Sequence, residues 1–518
     1  MQDEDVAEGP RPGRAGGWAV LPVVLAGAAL RAAILLTPLR AVNGDEAATG
    51  LMADRIAHGH GYVFFAGQHY MGAAVQYLQV PALALLPGNW VALRLPDLAL
   101  AAAAVGLAYP VGLRLLGGRG RALVASAAFA AGPLFNLLYA SRAMGAYNAA
   151  PVIGLLALLV ALGRPTGGNA LLLGGCVGAG FWLTPVTLFL AAPAVLWAAP
   201  GLVRSARRSA ALLAGLALGS APAWAWSIAQ HAAGGVAAVE IRSTLDQRAR
   251  GLVGNVGPEL LGLAWRGGAA PVLPRAVWPA ALTVLAILWG AGVIVRWRGL
   301  VDLLLLRRAG RQRPADLVLV APPLVVGLYL ATPFTVWTGD PRYLYAAYPW
   351  LFFGLAAVPL RGLPARTAGA GLVAGTLALS TLAVPVATDP VPASWNDDLR
   401  AAAAWLRGQQ VAGAWADYRS AFTLTFLDRE RLPAVPYNDL ACRFPDLADQ
   451  VATAGRTGWV LSAAAPPELA PLLRGHRVAA ELHLATVHAY VLADPSRPPW
   501  QLGVVSRPPP CLSPAARR

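Results

Sequence analysis

Eleven apolar stretches of about 15 to 26 residues divide the chain, and short Arg-bearing segments separate most of them. A helix rises about 1.5 Å per residue, so about 20 such residues cross a hydrocarbon core about 30 Å thick. The runs cover 17–39, 91–116, 122–139, 144–162, 170–184, 186–200, 210–232, 276–295, 316–336, 343–360 and 367–387. They predict eleven transmembrane helices, the fifth and sixth being the shortest. Barrel-type alternation is absent.

Two longer intervals, 40–90 and 233–275, interrupt this rhythm. In the first, Ala48, Leu51, Met52 and Ile56 recur at helical spacing, behind Asp45 and Glu46 and ahead of Gly59 and Gly61. That pattern predicts a helix lying on the membrane surface. A second interfacial piece is expected from Ala73 to Leu86, with Pro81 inside it.

Beyond residue 388 the pattern becomes that of a globular domain. A helix is expected over 399–409 with Asp397 or Asp398 near its N-cap, a strand over 411–416, a helix over 421–427, and strands over 459–462 and 487–492. The fold class is therefore an all-α polytopic membrane domain (17–388) followed by a small α/β domain (389–500) and a Pro-rich tail (501–518). Residues 1–16 mix Asp3, Glu4, Asp5, Glu8, Arg11 and Arg14 with Pro and Gly and read as a disordered tail.

Composition agrees: of 518 residues 57% are hydrophobic and 13% charged, with a mean hydropathy of +0.54. Such a chain is too apolar for an ordinary soluble domain. The run at 17–39 is longer than a signal-peptide core and lacks a small-x-small cleavage site, so it is kept as the first span.

A net charge of +15 raises the question of nucleic acid. Residues 389–518 hold 13 Arg and 12 acids, so the excess belongs to the membrane part, and the chain has no Lys. The Arg residues fall in alternate loops, including six between Arg296 and Arg313. With a cytoplasmic N-terminus every inner loop is basic, as the positive-inside rule requires, and the C-terminal domain falls outside. Nucleic acid is not needed. Trp224, Trp226, Trp278, Trp337 and Trp350 sit near expected span ends, where amphipathic rings favour the headgroup region. Of three cysteines, Cys176 lies in a span, while Cys442 and Cys511 lie in the outer domain, open to a disulfide or to two free thiols.

Candidate chemistry begins at Asn43-Gly44-Asp45-Glu46, two carboxylates directly after the first span. Asp is a favoured N-cap and acids suit a first helical turn, so a purely structural role accounts for the pair. A functional role gains from Gly67-Gln68-His69-Tyr70-Met71-Gly72, which carries donors of the kind that surround a ligand. Arg31 inside the first span is either functional or paired within the bundle. Arg94 and Asp97, three apart on one helix, are expected to satisfy each other.

The acidic pair, the segment Gln68 to Leu78, Ala92-Leu93-Arg94-Leu95-Pro96, Ser141-Arg142-Ala143-Met144 and Pro341-Arg342-Tyr343-Leu344 together resemble bacterial family 39 glycosyltransferases of the GT-C superfamily. That group includes protein O-mannosyltransferases and the lipid A aminoarabinose transferase. The similarity runs over about 35 to 360 in motif order, and Ala416-Asp417-Tyr418 to Leu427 is similar to the soluble tails of some members.

The resemblance implies a bacterial plasma-membrane enzyme. It would move a sugar, mannose being a common family choice, from a polyprenyl-phosphate donor to a glycan, lipid or protein acceptor, with inversion. It makes Asp45 and Glu46 the catalytic carboxylates, with Asp45 the general base, and Gln68, His69, Tyr70, Arg142, Tyr147, Arg342 and Tyr343 the substrate-binding set. A carboxylate can take the acceptor's proton. Arg142 and Arg342 can each offer a fork of donors to the departing phosphate.

The chain departs from its relatives in having no Lys for the phosphate and Asn148 where several carry an acid. Metal dependence varies in the superfamily, and His58, His60 and His69 show no metal-ligand spacing. A transporter or flippase is the alternative, and it expects ionisable groups near the bilayer midplane and repeated halves. A membrane sensor would make the outer domain the working part and leave the polar first loop unexplained.

Overall fold

Among the described residues each of the eleven apolar runs contains helix. The computed structural model describes Trp18 to Ala516 except 233–242, 266–268, 308–312, 333–338, 359–364, 389–391, 439–442, 463–464, 466, 468, 470–472, 474, 495–496, 510–511 and 514–515. The expected tail at 1–16, Trp337, and both Cys442 and Cys511 lie outside the described residues.

The first half of the bundle comprises α1 (Leu21–Ile34), α2 (Gly44–Ala57), α3 (Ala74–Leu85), α4 (Trp90–Leu116), α5 (Arg119–Ala131), α6 (Leu134–Ala140), α7 (Ala149–Ala161), α8 (Gly167–Leu183), α9 (Leu188–Leu202) and α10 (Ala206–Ala232). A short hairpin, β1 (Phe64–Phe65) with β2 (Gln68–Gly72), separates α2 from α3. After α11 (Leu245–Gly251), a π-turn, α12 (Gly257–Leu260) and the paired β3 (Ala264–Trp265) and β4 (Ala270–Pro271), the bundle closes with α13 (Val277–Leu304), α14 (Asp316–Ala331), α15 (Tyr348–Ala357) and α16 (Ala365–Thr388). Among the described residues five helices are long and apolar enough to cross a membrane, or six if α5 and α6 count as one broken span. Other apolar helices, such as Trp18–Ile34 and Gly145–Ala161, are shorter.

The single span expected over 122–139 is in fact two helices that meet at 75°. Gly132 and Pro133 cause the break, because proline has no N–H to continue the ladder. The carbonyls freed there find donors from elsewhere. Buried Arg31 donates to Ala130 O at 2.9 Å and Phe129 O at 3.5 Å, and Asn136 Nδ2 donates to Phe129 O at 3.0 Å. The hydroxyl of Ser380 on α16 donates to Gly132 O. Arg31 is thus held by backbone within the bundle through its two terminal nitrogens, while its Nε has no partner among the described residues. Trp350, expected at an interface, is instead buried and donates to Phe189 O at 2.9 Å.

Helices α8 and α10 approach until backbone meets backbone. A Cβ at Gly174 or Gly178 would run into the carbonyl oxygens of Leu212 and Leu216, and one at Gly215 or Gly219 into those of Leu171 and Gly175. Small residues spaced by four allow this contact in a lipid environment. In α13, by contrast, none of the apolar window is buried, so that helix turns its face outward.

The C-terminal region carries a sheet of its own. It runs α17 (Trp395–Gly408), β5 (Gly413–Ala416), α18 (Tyr418–Leu427), β6 (Ala434–Pro436), α19 (Pro445–Ala452), β7 (Thr457–Ser462), β8 (Val478–His483) and β9 (Val487–Leu492). The five strands form one mixed sheet in the order β6-β5-β7-β9-β8, with β5 parallel to both neighbours. The N-cap of α17 is Ser394, while Asp398 accepts from Thr486 N at 2.9 Å and so ties the helix to the sheet. Strands β6 and β8 and helix α19 carry no clear sequence pattern and were not expected.

The surface helix expected after the first span is present as α2, but it does not lie on a surface. Residues Glu46 to Ala53 are all buried, between the bundle on one side and α18 on the other. Two glycines make room. A Cβ at Gly44 would sit 2.8 Å from Tyr418 O, and one at Gly50 would sit 2.5 Å from the ring of Phe426.

Candidate functional site

The cap of α2 decides how its acids are used. Asn43, not Asp45, is the N-cap, and its side-chain oxygen accepts from Glu46 N at 2.9 Å. Asp45 is therefore free of the capping role that the sequence allowed it.

Consecutive residues on a helix point about 100° apart, and the two carboxylates diverge accordingly. Glu46 is fully buried against the bundle, where Arg94 binds it through both forks, Nε to Oε1 at 2.7 Å and Nη2 to Oε2 at 2.8 Å. Ala143 N donates to Oε1 at 3.1 Å, and Arg142 Nε lies 3.9 Å from Oε2. Arg94 and Asp97 do not pair as expected. Asp97 instead accepts from Gln79 at 2.8 Å and from Asn148 at 2.8 Å, because Arg94 is committed to Glu46. Asn148 also donates to Arg142 O at 2.8 Å, which fixes the loop that carries Arg142.

Asp45 points into the seam between the bundle and the C-terminal region, with its side chain 27% exposed. Its Oδ1 accepts from Tyr418 Oη at 2.7 Å and Arg443 Nη2 at 2.9 Å, and its Oδ2 faces Arg342 Nη1 at 3.5 Å. Burial pushes this carboxyl up, but the guanidiniums of Arg443 and Arg342 and the Tyr418 hydroxyl outweigh it and hold Asp45 below the usual carboxylate range. The same surroundings drive Tyr418 upward, through burial first and then the Asp45 charge.

Each partner is itself held. Arg443 donates to Tyr418 Oη at 2.7 Å and Ala66 O at 3.0 Å, and its guanidinium lies 4.9 Å from the Phe65 ring centre. Arg342 follows Asp340, the cap of a 3-10 turn at Pro341–Ala347, and donates to it through Nε at 2.6 Å. Arg142 donates to Leu39 O at 3.4 Å. Burial pushes it down to about 10, with Glu46 opposing and the Arg94 and Arg419 charges adding to the fall.

The expected substrate-binding residues divide into two groups. Tyr70, Tyr147 and Tyr343 gather with Arg342: Tyr147 and Tyr343 are buried, and Tyr70 is close enough to Arg443, Asp45 and Arg342 to feel their charges. Burial pushes Tyr70 upward. Gln68 opens β2, half-buried, while His69 packs on Trp226 of α10 at 4.6 Å between ring centres, and burial pushes it down. Residues not singled out by the sequence also belong here. Tyr139 is buried with no partner for its hydroxyl among the described residues. Tyr418 lay inside a quoted motif, but no pattern marked Arg443.

The described residues include no group of three His, Cys, Asp or Glu side chains placed to hold a metal ion. Around Asp45 the arrangement offers an ionised carboxylate, several guanidiniums and a ring of phenols. That set can accept a proton and neutralise a phosphate.

No family model matches the chain, and no curated protein matches it. Solved structures do. ArnT from Cupriavidus metallidurans bound to undecaprenyl phosphate is 14% identical, over 93% of this chain and 100% of its own, with a TM-score of 0.52. The apo state of the same protein is 12% identical, over 92% and 98%, with a TM-score of 0.53. An Archaeoglobus fulgidus oligosaccharyltransferase, AglB, in complex with an inhibitory peptide and a dolichol-phosphate, is 13% identical over 93% and 75%, with a TM-score of 0.43. The chain has the fold of ArnT across nearly its whole length.

Proposed function

We propose that this chain is a membrane glycosyltransferase. It takes a sugar from a polyprenyl-phosphate donor and passes it to an acceptor hydroxyl at the outer face of a bacterial plasma membrane. The observation that carries the reading is Asp45, a carboxylate at the mouth of an apolar bundle, with Arg342 beside it and Arg142 on the neighbouring Glu46. ArnT, the protein with the same fold, binds undecaprenyl phosphate.

In the proposed reaction the acceptor oxygen attacks the anomeric carbon from the face opposite the phosphate, so the configuration inverts. The new C–O bond forms as the old one breaks, and the bonding pair leaves with the phosphate oxygen. Asp45 receives the acceptor proton. A carboxylate held below its usual range is a weak base, but a hydroxyl sheds its proton readily once its oxygen is bonding to an oxocarbenium-like carbon. Arg142 and Arg342 take up the charge growing on the phosphate, which stands in for the Lys the sequence lacks. Glu46 positions Arg142 and Arg94 and does not take the proton.

The reaction is tested by incubating the purified chain in nanodiscs with a panel of radiolabelled undecaprenyl-phosphate sugars. Release of undecaprenyl phosphate supports it; transport of solute without bond cleavage refutes it. The orientation has its own test, a cysteine at position 307, past the end of α13 in the Arg-rich segment, and another in the α17–β9 domain. An impermeant thiol reagent applied to cells should reach only the second.

A further inference from the structure

We infer that the C-terminal domain completes the reaction site, with Tyr418 and Arg443 as positioning residues that aim and orient Asp45. This rests on the proposed role of Asp45.

The two residues reach Asp45 across 373 and 398 positions of chain, and both lie on the same oxygen, Oδ1. Tyr418 opens α18 immediately after the C-terminal end of β5, a strand with parallel neighbours on both sides. Open α/β sheets place their binding residues at that edge. Here the edge is turned onto another domain's carboxylate.

The junction is built to hold this register. Trp395 Nε1 donates to Val42 O at 2.9 Å, and Asn396 Oδ1 accepts from Val42 N at 3.0 Å, so the start of α17 is pinned three residues before Asp45. At the far end of α2, Arg55 bonds Asp446 at 2.9 Å and reaches Glu430 at 3.4 Å. Between these pins Gly44 accepts the Tyr418 backbone and Gly50 the Phe426 ring. Arg443 adds a third tie by donating to Ala66 O in the β1–β2 turn.

Triangulation of this kind fixes a carboxylate. A short Asp side chain keeps two free torsions, and donors from one side onto Oδ1 leave Oδ2 turned toward Arg342, at a looser 3.5 Å. With Oδ1 occupied, Oδ2 is the oxygen available to an acceptor. The charged and titratable groups facing Asp45 are Arg443 and Tyr418 from the C-terminal domain, Arg342 with Asp340 from the turn before α15, and the phenols of Tyr70 and Tyr139. Arg443 is a principal cation among them.

Loss of Arg443 removes a positive charge from Asp45, so the carboxyl protonates at higher pH. The acidic limb of the pH–rate profile then moves upward, by about 1 to 2 pH units for an opposite charge within hydrogen-bond reach.

The test uses the full chain in nanodiscs and the undecaprenyl-phosphate sugar that gives the fastest release. R443A should raise the acidic limb, R443K should restore part of it, and Y418F should move it in the same direction by less. G44A alters no polar group but pushes Tyr418 away, and it should reproduce the Y418F profile. A second readout needs no substrate. In a double-mutant cycle on thermal stability, R443A combined with D45N should cost less than the two single changes added together. Additive losses, or a fall in rate at every pH with the limb unmoved, would overturn the inference while leaving the role of Asp45 standing. Full activity in D45N would instead remove that role, and the inference with it.

Discussion

Asp45 and Glu46 are adjacent, carry the same charge and sit in the same helical turn, yet they occupy two different environments. On the bundle side Glu46 is sealed, with Arg94 on both oxygens and a backbone N–H on one. On the domain side Asp45 meets donors from three separate parts of the chain and keeps its side chain partly exposed. The first is a closed ion pair, costly to break. The second is held together from outside and can exchange partners, which a reacting group needs. A carboxylate is useful for chemistry when its neighbours leave one oxygen reachable.

This contrast can be tested from each side. The largest effect on activity is expected for Asp45→Asn. Asn43 provides the cap, so the fold should survive, and transfer should fall by about 10² or more, as for loss of a positioned base. Release of undecaprenyl phosphate beside an unchanged melting curve would show it. The opposite signature is expected at Arg94→Ala, which strands Glu46 as a buried charge. Its cost is about 3 to 5 kcal/mol of stability, visible as loss of folded protein in detergent before any kinetics are measured. Glu46→Gln should fall between them, lowering the melting temperature while the folded fraction keeps most of its turnover. Smallest is His69→Ala, which removes one aromatic contact with Trp226 worth about 1 kcal/mol. It should weaken the hairpin slightly in hydrogen exchange and change the rate only a few-fold.

The helices were legible because lipid imposes one demand on every span, an apolar length, and a single sequence shows it. The break at Gly132-Pro133 was equally visible in residue type, but the apolar run continued across it. Asp45 was singled out by position and family likeness. The partner of Glu46 was not, since Arg94 is 48 residues away and had a nearer acid, Asp97, three residues on. Arg443 was out of reach for a different reason: it sits in a segment without periodicity and acquires its role only when α19 and β6 have packed. The surface reading of α2 failed likewise, because its second buried face exists only against α18, and glycines such as Gly44 and Gly50 show their purpose only beside Tyr418 and Phe426.

The glycine contact between α8 and α10 has a bearing on mutational tolerance. With carbonyl oxygens where side chains would project, four positions admit no gradation: even alanine is too large at Gly174, Gly178, Gly215 and Gly219. The exposed face of α13 accepts almost any apolar residue, so two helices of the same bundle should drift at very different rates. The rigid one also transmits position. Trp226 follows Gly219 by two turns, about 10 Å, and closes on His69 beside the candidate site. A single methyl group at Gly219, deep in the α8–α10 contact and far from any charge, would therefore displace the wall against which the β1–β2 hairpin packs.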